Sequence, residues 1–187
     1  YRPEVNITFV PIVRNNRTIA LLTSHRVATL HTYPSLSEEV YEFVTDTMLT
    51  MLHSGLWPDP LAQGSRTQGN PRAIDGIIVL DPTGRVVVAS PNANSMYTRM
   101  GMTGYLEKRN LADVTRAMLS SGEEADETLQ LVLAGRSDLR TELTIARARV
   151  TMRAIPLLKQ KGAHIERLGA LILCRDVTEL RRREMEL

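Results

Sequence analysis

Leu168-Gly-Ala-Leu-Ile-Leu-Cys-Arg-Asp-Val-Thr-Glu-Leu-Arg-Arg-Arg-Glu-Met-Glu-Leu187 is the stretch whose reading decides the fold. Ala170, Ile172 and Cys174 alternate with Leu171, Leu173 and Arg175, which is the pattern of a strand with two distinct faces. At Asp176-Val177-Thr178 the apolar run stops and a charged, helix-prone run begins. Asp176 is placed to accept from backbone amides of this turn, with Glu179 behind it in the manner of a capping box, and Thr178 to fix the angle of departure. A strand that feels a domain interior and ends in a projecting helix can act as a lever. The chain stops within that helix, so this reading expects more protein beyond Leu187 and leaves open whether Tyr1 is a native start. Val177, Leu180 and Leu187 fall at a/d-like spacing, with Glu184 interrupting the seam and Arg181 to Glu184 flanking a two-helix stalk.

Upstream, Leu139 to Ile145 and Val150 to Leu158 read as a hairpin. Before it come three short helices, Pro91 to Met100, Asn110 to Met118, and Asp126 to Ala134, the last ended by Gly135. Glu123, Glu124, Asp126 and Glu127 gather at a helix start, where negative charge suits the macrodipole. Asp75 to Asp81 and Arg85 to Ser90 read as strands joined by Asp81-Pro82-Thr83-Gly84, with Pro presetting φ and Gly supplying a positive one. The order β-β-α-α-α-β-β-β describes an α+β domain with an antiparallel sheet.

Gly55 to Arg72 has a different character. Gly55, Pro58, Pro60, Gly64, Gly69 and Pro71 interrupt any periodic pattern and mark a linker. Ahead of it, Asn6 to Arg14 and Thr18 to Thr23 read as strands with an Asn15-Asn16 turn. Ser35 and Glu38 form a capping-box pattern. Leu36, Val40, Phe43, Val44, Met48, Met51 and Leu52 then follow helical spacing, which predicts one buried face. Two strands and a helix are too few to stand alone, so this segment reads as the C-terminal part of a domain.

Composition narrows the class. The chain has 187 residues and a formal charge of +2, and its arginines are spread along it, clustering at Arg175 and Arg181 to Arg183 without interleaved aromatics. That argues against a nucleic-acid surface. A single cysteine, Cys174, excludes an internal disulfide and fits a reducing compartment. No apolar run reaches the roughly 18 residues of a spanning helix and no signal-peptide pattern opens the chain, so a cytoplasmic protein is expected.

Asp75-Gly-Ile-Ile, the Asp-Pro-Thr-Gly turn, Ser90-Pro-Asn-Ala93 and the terminal Asp176-Val-Thr178, in this order and spacing, resemble a PAS domain. Arg153-Ala-Ile-Pro156 and the Cys174 to Glu184 exit are similar to the sensor region of actinobacterial soluble two-component histidine kinases of the PdtaS type. Val10 to Leu22 is similar to the late strands of the GAF-like domain that precedes PAS in that family. The resemblance implies a partial GAF-like domain over 1–54, a linker over 55–72, a PAS domain over 73–176 and the start of a signalling helix over 177–187. It implies a homodimer, a kinase core in cis that uses ATP, and a response regulator as partner of the parent protein. It implies no membrane and no direct nucleic-acid contact. The phosphoacceptor His and the nucleotide-binding boxes of such kinases are not in this sequence. The alternatives are an output of another kind, such as a nucleotide cyclase or an RNA-binding antiterminator, and an interaction module that only dimerises.

The residues themselves offer little enzyme chemistry. No nucleophile elbow, P-loop or dinucleotide fingerprint occurs. His25, His31, His53 and His164 lack the close spacing of metal ligands and read as surface residues. Haem-binding PAS domains take an axial His from the helical cluster, and Pro91 to Gly135 contains none. Flavin-adduct PAS domains carry a cysteine where this chain has Lys108-Arg-Asn-Leu-Ala112, so both cofactors are disfavoured and none is required. Arg175 beside Cys174 would favour a reactive thiol, but the apolar strand favours a small core residue. Tyr97, Met100, Leu111, Met118, Leu143, Ile145 and Met152 would line the pocket between sheet and helices, or fill it as a closed core. Asp176 and Thr178 are the expected relay residues.

Overall fold

The computed structural model describes residues 5–14, 16–27, 36–58, 75–119, 126–145 and 148–185. They fall into two compact units, Tyr1–Trp57 and Pro58–Leu187.

In the first unit, β1 (Val5–Arg14) pairs antiparallel with β2 (Arg17–Val27). Asn16 at φ 59° makes the tight turn, a left-handed conformation that Asn tolerates better than most residues. The helix α1 (Leu36–Ser54) follows, with Val44 and Met51 buried. Phe43, expected on the buried face, is 45% exposed. It lies next to Val44 on a helix, and one step of about 100° turns it away from the stripe that Val44 and Met51 define. Thr45, Thr47, Thr50 and Ser54 return their hydroxyls to carbonyls one turn earlier. The Ser35–Glu38 box, His31 and most of the expected linker lie outside the described residues or side chains.

The second unit holds β3 (Gly76–Leu80), β4 (Val86–Ala89), α2 (Pro91–Arg99), α3 (Leu111–Arg116), α4 (Glu127–Ala134), β5 (Leu139–Ile145), β6 (Ala148–Lys161), β7 (His164–Asp176) and α5 (Thr178–Met185). The five strands form one antiparallel sheet in the order β4-β3-β7-β6-β5. This is the α+β fold with a five-stranded antiparallel sheet and helical cluster expected from sequence. The two hairpins are joined through β7, so the last strand is the central one. Its C-terminal end therefore pairs with both halves of the sheet.

Local chemistry explains the element boundaries. Asp81 Oδ1 accepts from the amide and hydroxyl of Thr83 and the amide of Arg85, while Gly84 sits at φ +84°. Ser90, Asn110 and Asp126 each cap a helix by accepting from amides in its first turn. Gly135, in the left-handed region, closes α4. Gly169 stands at a close approach, where a methyl group would run into the Leu80 carbonyl oxygen. Strands β6 and β7 run further than expected, to Lys161 and from His164, around Gly162 at φ 63°. The added rungs carry Lys159, Gln160, Lys161 and Glu166, exposed polar residues without the alternation that reveals a half-buried strand.

Ile78, Leu80, Met96, Tyr97, Leu129, Leu133, Ala170 and Ile172 form the core between sheet and helices. Alternate residues of β6 and β7 point into it, including Val150, Met152 and Ala154.

Candidate functional site

Strand β7 gives way to α5 through a set of short hydrogen bonds. Asp176 Oδ1 accepts from the Thr178 amide at 3.0 Å and from its hydroxyl at 2.6 Å. The Thr178 oxygen in turn accepts from the Arg149 amide on β6 at 2.9 Å. The Val177 amide donates to the Arg149 carbonyl at 2.8 Å, and the Arg181 amide closes the first helical turn onto the Val177 carbonyl. Both backbone polar groups of Arg149 thus hold the exit, and Val177 is buried beneath it. Asp176 also meets Arg99, the last residue of α2, at 3.5 Å. The junction therefore touches the helical cluster as well as the sheet.

The helix is held further along by Arg181. Its Nη2 donates to Glu142 Oε2 at 2.8 Å and its Nε to Oε1 at 3.3 Å, while Nη1 reaches Glu184 at 2.7 Å. The hydrogen bond from Arg181 keeps the Glu142 carboxyl below its ordinary range. Glu179, expected to complete a capping box with Asp176, instead accepts from Arg182 at 2.7 Å. The local Asp176–Thr178 turn already satisfies the exposed amide, and Glu179 is left to pair with the cation one turn on. Leu180 is 57% exposed while Val177 is buried, so these two do not share one seam. Leu187 lies outside the described residues.

At the start of the sheet Asp75 receives Arg175, from Nε at 2.8 Å and Nη2 at 2.6 Å. The Asp75 side chain is 5% exposed. Asp138 and Arg153 form a second two-point pair at 2.9 Å. Cys174 is buried in the core, as its apolar strand favoured. Arg175 is engaged by Asp75 and does not activate the thiol. Burial, reinforced by the Asp75 charge, pushes Cys174 up to about 12.

The proposed pocket residues do come together. Tyr97, Met100, Leu111, Leu143, Ile145 and Met152 belong to the buried core, with Met118 packed against it. Within it the Tyr97 hydroxyl lies 2.8 Å from Thr115 Oγ1, which donates to the Leu111 carbonyl at 2.8 Å. Since that bond uses the only Thr115 hydroxyl proton, Tyr97 is the donor to Thr115. Burial drives the phenol strongly away from ionisation.

Residues 72–182 match the family model described as the PAS fold. The chain belongs to the PAS fold family. Over its whole length this PAS-containing chain is 35% identical to the sensor histidine kinase PdtaS of Mycolicibacterium smegmatis, and covers 37% of that protein. It is 38% identical to PdtaS of Mycobacterium tuberculosis over 95% of its own length and 35% of that protein. The chain thus spans little more than a third of these curated relatives. A solved structure of the sensor region of a sensor histidine kinase is 37% identical and superposes with a TM-score of 0.68, covering 95% of this chain and 65% of that one.

In the PAS unit, the expected relay pair Asp176 and Thr178 is in direct contact, whereas its partners Arg99 and Arg149, the Glu142 partner of Arg181 and the Thr115 partner of Tyr97 were not legible. Their roles depend on strand register and on which helix end meets the exit, and no local motif encodes either. His53 and His164 are exposed; the His25 side chain lies outside the described set. Among the described residues no group of three or more His, Cys, Asp or Glu could hold a metal ion. Among them no helix is long and apolar enough to cross a membrane.

Proposed function

We propose that this chain is the sensory and signal-relay region of a two-component histidine kinase, controlling a kinase core in the same polypeptide. The observation that carries the reading is the exit. The central strand passes into α5 through Asp176, Thr178 and Arg149, so a change in sheet or helical cluster alters the helix angle. The likeness of this chain to about a third of PdtaS supports the same reading. Such a change would shift a downstream dimer between active and inactive arrangements.

In this reading residues 1–54 are the late part of a GAF-like domain, 55–72 a linker, 73–176 the PAS domain and 177–187 the start of a signalling helix. The parent protein is a cytoplasmic homodimer that uses ATP to phosphorylate itself and then a response regulator. No cofactor is required. The native mass of the purified chain against its denatured mass tests that point directly, because a bound ligand appears as mass lost on denaturation.

The experiment for the relay is autophosphorylation of the full-length protein carrying Asp176→Ala. The substitution removes the acceptor that fixes Thr178 and the contact to Arg99, and a several-fold change in rate is expected. An unchanged rate with an intact circular-dichroism spectrum would rule the relay out.

A further inference from the structure

The face of the sheet opposite the core carries an excess of positive charge around Glu142. Arg140 and Glu142 are alternate residues of β5 and share that face, and Arg140 stands directly opposite Arg153 on β6. Like charges directly opposite each other destabilise a sheet. Arg153 is compensated by Asp138. Arg149, paired with Thr144, lies diagonal to Glu142 on the same face, and Arg181 arrives from α5. Glu142 thus faces three guanidiniums. Arg181 alone is within ion-pair distance of it, and among the described residues neither Arg140 nor Arg149 has an ion-pair partner. Arg140 and Arg149 are half-buried, so their charges are less screened than free surface ones. The side chains of Glu142 and Arg181 remain 31% and 37% exposed, which leaves the cluster open to solutes.

We propose that Arg140, Arg149 and Arg181 form a binding site for a small soluble phosphate-bearing anion, which competes with Glu142 for Arg181 and so loosens α5. Guanidiniums suit this chemistry because their planar forks bond phosphate oxygens in pairs. Glu142 occupies the place of the anion when none is bound. The coupling follows from geometry, since the same Arg181 atoms that would bond the anion now tether α5 to β5. The regulatory meaning rests on the relay reading above, but the binding site does not.

The test is calorimetric titration of the purified 187-residue chain with inorganic pyrophosphate, beside amide hydrogen exchange of α5. Sodium chloride at matched ionic strength is the control. Saturable binding with faster exchange in α5, absent with chloride, is expected. Arg140→Gln and Arg149→Gln should each weaken binding several-fold. Glu142→Gln should strengthen it several-fold, because it removes the competing carboxylate, a gain that a merely structural role would not produce. Unchanged exchange in β7 checks that each variant is folded. An equal effect of chloride, indifference to the two arginine variants, or no gain in Glu142→Gln would overturn the proposal. No kinase assay enters, so this site can fail while the relay stands.

Discussion

Arg175 binds both carboxylate oxygens of Asp75, at 2.8 and 2.6 Å, and so ties the end of β7 to the residue just before β3. The two strands already pair from Gly76 opposite Cys174 to Leu80 opposite Ala170. The ion pair fastens that ladder at the end where α5 leaves. Asp75 is nearly buried while Arg175 is 21% exposed, so loss of the carboxylate leaves a cation that water reaches only in part.

Asp75→Ala is therefore expected to lower stability by about 3 kcal/mol, the lower end for breaking a buried pair. Asp75→Asn, which keeps one acceptor oxygen, should cost less. Denaturant midpoints of the two variants against the parent chain measure the difference. Equal stability of Asp75→Ala and the parent would refute the assignment.

The Tyr97–Thr115 bond makes a second, asymmetric prediction. Thr115→Val keeps shape but leaves the buried Tyr97 hydroxyl without its acceptor. That desolvation costs about 1–3 kcal/mol, whereas Tyr97→Phe removes the hydroxyl itself and costs about 0.5–1.5 kcal/mol. The double variant should be less destabilised than the sum of the two, because once the phenol hydroxyl is gone Thr115→Val loses only the bond to the Leu111 carbonyl. Additive losses would show that the hydroxyls do not interact.

Elements with a local cause were legible from residues alone. The Asp81 to Gly84 turn, the helix starts at Asn110 and Asp126 and the Gly135 stop each have causes within a few positions, and these boundaries were read nearly to the residue, although Asn110 and Asp126 prove to be caps and not first helical residues. What escaped depends on distant register. Nothing near Glu142 announces that Arg181 will reach it, since their meeting requires β6 to pair with β5 on one side and β7 on the other. Thr115 likewise looks like an ordinary helical threonine until α2 brings Tyr97 over it. Phe43 went the other way, because apolar spacing alone did not say where the edge of the buried stripe falls.

Cys174 is fully buried, with its thiol pushed up to about 12 by burial first and by the Asp75 charge second. The thiolate is the reactive form, so native protein should resist alkylation. Iodoacetamide near pH 8 is expected to leave the folded chain unmodified and to add one carbamidomethyl group once the chain is unfolded in denaturant. Modification of the native protein at the rate of the unfolded chain would mean that the strand opens freely or that the thiol is exposed.

The hold of Glu142 on Arg181 should fail in acid. The Arg181 hydrogen bond depresses the folded carboxyl below its ordinary value of 4.5, although partial burial opposes the shift. A depressed folded value means a contribution that is complete above the unfolded value and is lost as pH falls through the folded one. Exchange protection of α5, corrected for intrinsic rates, is therefore expected to stay level from about pH 8 to about pH 5 and to decline below about pH 4.5. In Glu142→Gln the tether is weakened at every pH, so protection should start lower and lose this acid-dependent step. A step of the same size in the variant would show that Glu142 is not the group whose protonation releases α5.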